Sequence, residues 1–360
     1  MKTFTHNSFP RERRRAPMRL GRHSGLSLVE LMISIAIGLA LLAGITSLIS
    51  QQSAATTELD KASRQIENGR YATQLLREDL ELAGFWGEYY DVAAASSLYD
   101  PCAMTVADLT AAISLPIQGY DSPATVPSPL SGCLTDADHK AGTDILVVRR
   151  AETATIPLAS AVPGQPYVQA GLNVSSTMDK VIGTGSDTSV FTLKKRDGTA
   201  APLRNYAVHI YFVSACNVPA SGTSCTGSGD DGGKPVPTLK RLELGVTGGV
   251  ASFSITPLAE GIENMQLDYG IDADGDGTPD YYTTGTSNNA GTAMTATDWG
   301  NAVTVRLNIL ARNTELSAGH DDAKTYTLGA AGTVGPFHDA YKRRVFTEVV
   351  RATNPSGRRS

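Results

Sequence analysis

One stretch of the chain departs from the pattern of the rest. Residues 31–49 are nineteen consecutive positions without a charge. As a helix they span about 29 Å, close to the hydrocarbon thickness of a bilayer. Downstream, residues 51–83 contain no proline, and small or apolar side chains recur at Ala55, Leu59, Ala62, Ile66, Ala72, Leu76, Leu80 and Ala83. Steps of three and four predict one helical stripe. Charged residues, among them Arg77, Glu78 and Asp79, fill the other faces and read as a solvated surface. Asn68-Gly69 interrupts the stripe and marks an expected kink. One helix over residues 26–83 is expected, with its membrane-spanning part at about 28–50.

Beyond residue 84 the period changes. Short runs of β-forming residues sit between Gly, Pro, Ser and Asp clusters, and predict strands at 143–150, 189–194, 206–214, 238–244, 252–255, 265–271, 303–311 and 345–351. Residues 206–212 and 303–309 alternate as half-buried antiparallel strands do. The stretches 91–141, 215–237 and 278–299 read as loops, and as the surfaces that meet partners. The predicted fold class is α+β: a long N-terminal helix, its first half membrane-spanning, packed on a mainly antiparallel β head at residues 84–360.

Charge gives this layout a direction. The net charge of −5 averages two unlike parts: residues 1–25 carry +6, from seven Lys/Arg and Glu12, so the other 335 residues carry −11. A basic flank before an apolar helix stays in the cytoplasm, which places the acidic body outside it. An ordinary secretory signal is the alternative, with Ser53-Ala54-Ala55 as a loose cleavage site. Against it, the run is longer than a signal core. The apolar stretch that leads into it from Leu26 also holds a carboxylate, Glu30, where a charge is costly.

Gly25-Leu26-Ser27-Leu28-Val29-Glu30 resembles the class III signal of type IV prepilins and type II secretion pseudopilins. The resemblance implies that prepilin peptidase cuts between Gly25 and Leu26, that residues 1–25 leave as a leader, and that the new amine of Leu26 is methylated. Glu30 becomes the fifth mature residue, where its carboxylate pairs with the amine of a neighbouring subunit in a low-dielectric surrounding. A Glu30 that only snorkels to the headgroups is the simpler alternative. Two features depart from major pilins: Leu26 stands where Phe is usual, and the apolar helix has no proline. Residues 67–87 resemble PilW-type minor pilins. So do Gly261-Ile262-Glu263 through Tyr269-Gly270 ahead of a DGDG stretch, and Arg351-Ala352-Thr353-Asn354-Pro355. This implies a minor pilin that initiates or caps a type IV pilus. Its partners would be other minor pilins, the major pilin and the peptidase. It would sit in the inner membrane, head in the periplasm, and then in the surface pilus. A type II secretion pseudopilin and a calcium-dependent tip adhesin are the alternatives.

Four cysteines in an exported body point to disulfides. Three connectivities are open; Cys102–Cys133 and Cys216–Cys225, each bracketing a loop of turn formers, are the expected one. Asp272, Asp274, Asp276, Thr278 and Asp280 have the spacing of the first part of a calcium loop, without the closing Glu of an EF-hand. Calcium, or a solvated acidic turn, is the expectation there, and no cofactor is required. Neither G-x-S-x-G nor H-E-x-x-H occurs, so no enzyme activity is expected. Residues 341–344 (Tyr-Lys-Arg-Arg) read as a solvated basic edge. The body has no basic, aromatic-interleaved patch, so direct nucleic-acid binding is not expected.

Overall fold

The computed structural model describes Gly25 and residues 27–222, 224–225 and 227–358. Helix α1 (Leu28–Glu81) opens with the Leu31 N–H donating to the Ser27 carbonyl at 3.0 Å. It ends just before Gly84, whose φ of +70° suits a glycine that turns the chain out of the helix. The predicted kink is absent: α1 runs unbroken through Asn68-Gly69. Gly69 serves another purpose, because a Cβ there would lie 2.2 Å from the Phe346 ring.

After α1 come α2 (Val106–Ala112), β1 (Ile117–Tyr120), β2 (Ile145–Ala151), β3 (Pro166–Leu172), β4 (Met178–Thr184) and β5 (Leu203–Ser214). The hairpin β6 (Thr238–Thr247) and β7 (Val250–Glu260) follows, then β8 (Ile262–Ile271), β9 (Tyr281–Thr283), α3 (Ala296–Gly300) and β10 (Ala302–Arg312). The chain closes with the short strands β11 (Tyr326–Thr327) and β12 (Thr333–Val334), then β13 (Arg343–Arg351) and α4 (Thr353–Gly357). The large sheet runs β1-β2-β5-β3-β4, with β6 also on β5 and β7 on β6; a second sheet runs β13-β10-β8-β9. All paired strands are antiparallel. The architecture is α+β.

The chain divides into compact units at Thr57/Glu58, inside α1. In the first, every residue from Leu28 to Ile49 except Gly38 is exposed. In the second, the C-terminal half of α1 belongs to the head. Ala72, Leu76, Leu80 and Ala83 join one core with Leu146, Val148, Tyr211, Leu267, Val305, Leu307 and Val350. The predicted stripe therefore holds only from its middle onward, since Leu59 is exposed.

Strands β5 and β10 are not half-buried as their alternation suggested, and β2 beside β5 is covered on both faces as well. Leu146, Val148 and Tyr211 face the α1 side, while Ile145, Val147, Tyr206, Val208 and Phe212 face a second core. The cause is the segment after α1, which folds back over the far face and brings Trp86, Leu109, Leu130 and Leu134 onto it. Residues 189–194 are not a strand. They begin with a short 3-10 turn (Thr188–Val190) whose entry is capped by Asp187, and only Lys194 makes isolated bridges.

Candidate functional site

Glu30 lies in the first turn of α1 and is exposed. A carboxylate there complements the positive end of the helix. Gly25 is also exposed, with nothing within 4 Å of a built Cβ. Leu26 and the basic leader upstream of Gly25 lie outside the described residues.

The helix meets the head through a buried polar knot that the sequence pattern concealed. Asp79, read above as part of a solvated face, is buried. Its carboxylate accepts from Arg150 Nε at 2.5 Å and from the Tyr211 hydroxyl at 2.9 Å, and it lies 2.8 Å from His209 Nδ1. Register places these partners: Val148 pairs with His209 and Leu146 with Tyr211, so Arg150, His209 and Tyr211 all look toward α1. The signal was present in the spacing. Position 79 lies seven residues after Ala72 and three after Leu76, on the buried stripe itself. A polar cleft of about 410 Å³ opens beside the knot, lined in part by Arg150, Glu152, Asn205, His209, Arg241 and Glu243. Its lining includes no serine, threonine or cysteine.

A second knot sits where residues 341–344 were read as a solvated edge. The Arg343 side chain is buried and donates to Glu263, to Asp322 at 2.9 Å and to Asp339 at 2.6 Å. Lys342 reaches Glu58 of α1 at 2.6 Å. Arg343 is thus drawn inward by the nearby Asp339 and the distant Glu263 and Asp322, while Lys342 stays part-exposed on its partner in α1.

Cys102 is bonded to Cys133 and Cys216 to Cys225. Asp272, Asp274 and Asp276 each bring a carboxylate oxygen within 4.8 Å of the others. Asp280 does not join that group; its carboxylate caps the Ala273 and Asp274 amides. Thr278 points its hydroxyl at Asp276. The buried Asp272 also accepts from the Gly275 and Gly277 amides, so the loop is partly self-capped.

Asp144, just before β2, accepts from the Ser122 and Leu267 amides and from the Ser122 hydroxyl. Burial pushes its carboxyl up to about 7, against those donors. A raised folded-state value means the folded chain holds a proton that the unfolded chain releases near 3.8. Stability from this group is therefore full below about pH 4 and lost as pH rises toward 7. Between those limits we expect stability to fall by up to about 1.4 kcal/mol per pH unit. Urea titrations at pH 5 and pH 7.5 should show this slope, and Asp144→Asn should flatten it.

A model of the type IV pilus-assembly protein W family matches residues 222–354, and one of the prokaryotic N-terminal methylation motif matches residues 20–46. These two matches support a PilW-type, pilin-like chain. The first match spans the acidic loop, β6–β10 and β13; the second holds Gly25 and Glu30. Residues 47–221, with Asp79, Arg150 and His209, fall outside both. Both families are structural components of pili rather than enzymes. No curated protein and no solved structure matches the chain. The methylation motif and the apolar first half of α1 fit a membrane-anchored pilin.

Proposed function

We propose that the chain is a minor pilin that helps to initiate or cap a type IV pilus. It is cut by prepilin peptidase between Gly25 and Leu26, then held in the inner membrane with its head in the periplasm until assembly. The observation that carries this reading is Glu30, exposed in the first turn of a helix whose next nineteen residues are uncharged and apolar in character. A carboxylate at that depth is costly alone and favourable beside the N-terminal amine of a neighbouring subunit. A tip position is favoured by bulk, because a head starting at Glu58 and running to the end of the chain is large for packing along a shaft. The partners on this reading are other minor pilins and the major pilin.

The test is a deletion strain complemented with wild-type or Glu30→Ala chains and scored for surface pili. Deletion should strip most pili, and Glu30→Ala should insert in the membrane yet fail to restore them. Normal piliation with Glu30→Ala would sink the pairing role. Intact pili with lost enzyme secretion on deletion would instead make the chain a type II pseudopilin.

For the acidic loop we propose calcium as the ligand of Asp272, Asp274 and Asp276. Three convergent carboxylates repel one another unless a hard cation offsets their charge. Titration of the full chain in detergent should give a binding heat that Asp274→Ala with Asp276→Ala abolishes. No heat with the wild-type chain would leave a self-capped turn and remove the proposal.

A further inference from the structure

Strand β13 is one edge of the second sheet, with β10 as its only hydrogen-bonded strand neighbour among the described residues. Two backbone bonds fix which of its groups face outward. The Asn313 N–H donates to the Lys342 carbonyl at 3.0 Å, and the Ala352 N–H donates to the Val303 carbonyl at 2.9 Å. Between them the β10–β13 register runs without a slip, from Thr304 opposite Arg351 to Arg312 opposite Arg343. Bonded pairs alternate in an antiparallel ladder, so residues 344, 346, 348 and 350 turn their backbone groups to β10. Val345, Thr347 and Val349 therefore turn theirs away. Among the described residues no hydrogen bond meets those outward groups.

The surroundings are shaped for a visitor. A groove of about 240 Å³ runs beside the edge, lined by Arg70, Thr73, Gln74 and Arg77 of α1 and by Phe346, Thr347 and Glu348. Val349 is 52% exposed and Thr347 is exposed. Natural edges are usually blunted. The other long edge, β7, carries Pro257 and pairs with β6 across a register shift; β13 has neither device. Arg77 is paired with Glu348 and Glu81, but no carboxylate pairs with Arg70 or Arg344 among the described residues. Two unneutralised cations at one edge stand out in a chain where acids outnumber bases.

We propose that the outer edge of β13 receives an extended, acid-bearing segment of a different subunit of the same assembly, which adds a strand to the sheet. The nature of that subunit rests on the pilin reading above. The partner strand bonds the backbone groups of Val345, Thr347 and Val349, and places a carboxylate near Arg70 and Arg344. A second copy of this chain fits poorly. Antiparallel self-pairing about Thr347 sets Arg351 opposite Arg343 and brings no acid to Arg344.

The test uses the full-length chain in its own cells, with a photo-crosslinking residue at position 347 and, as control, at Ser254 on β7. Position 347 should yield a crosslink to another subunit that bears a prepilin-type signal, and position 254 should not. Arg344→Glu should cut crosslink yield and surface pili about fivefold or more, the effect of about one net hydrogen bond. Thr347→Pro, which removes an outward amide, should do the same, while Thr347→Val should not. Thermal unfolding in detergent checks that each variant is folded; if Thr347→Pro is not, the exposed Arg344→Glu decides. Wild-type crosslinking and piliation with Arg344→Glu would overturn the proposal, as would equal yields at 347 and 254. A bald deletion strain fully restored by the edge variants overturns the edge alone. A specific crosslink in a strain whose piliation ignores the chain keeps the edge and overturns the pilus reading.

Discussion

Asp79→Ala is expected to lower the stability of the folded head by about 3–5 kcal/mol, the usual cost of removing one member of a buried ion pair. Without that carboxylate, His209 loses its partner and Tyr211 its acceptor, and buried Arg150 is left with the half-buried Glu152 alone. Helix and sheet then meet across a cation that has lost the carboxylate on the helix side. Equilibrium unfolding in urea measures the loss, and Asp79→Asn isolates the charge from the shape. The dependence on pH follows from the group itself. Burial pushes the Asp79 carboxyl up, but His209 and then Arg150 overturn this and hold it below the ordinary carboxylate range. A lowered folded-state value gives stability that is full above the unfolded value of about 3.8 and lost as pH falls through the folded one. Wild type and Asp79→Asn should therefore differ most near neutrality and converge in strong acid. A difference that stays constant down to pH 2 would refute the charge as its source.

Arg343→Ala should cost a similar amount, about 3–5 kcal/mol. Its guanidinium binds Glu263, Asp322 and Asp339 at once, and Asp322 is fully buried. Truncation leaves three carboxylates facing one another. The deficit should shrink as pH drops from 7 to 4, because protonation relieves the repulsion. Hydrogen bonding to Arg343 holds the Asp339 carboxyl low. In the variant a nuclear magnetic resonance titration should find it nearer the ordinary range. A deficit that does not change with pH would mean that lost packing against Phe337, 3.8 Å from the guanidinium, dominates instead.

Much of the fold could be read from local pattern. The apolar run, the continuation of the helix and seven of the eight proposed strands follow from periods of 3.6 and 2, which adjacent residues alone set. Strands β1, β3 and β4 were missed because they are short, carry glycine or proline, and depend on neighbours distant in sequence. Position 79 shows the same limit within a helix. Its place on the stripe was visible, but a charged residue reads as solvated until a partner is known. Its three partners come from β2 and β5, more than seventy residues downstream.

The sequence by itself determined the long apolar helix, the Gly25–Glu30 signal and an acidic body of mixed α and β structure. Each depends on runs of neighbouring residues, and the pull of water or lipid on such runs needs no tertiary context. Only the tertiary structure decided where charge is buried. Asp79 and Arg343 are stable inside because opposite charges arrive from distant segments, β2 and β5 for the first, β8 and the loop at Asp322 for the second. Likewise, the open edge of β13 exists because the sheet ends there, and nothing in its own nine residues announces that no strand follows.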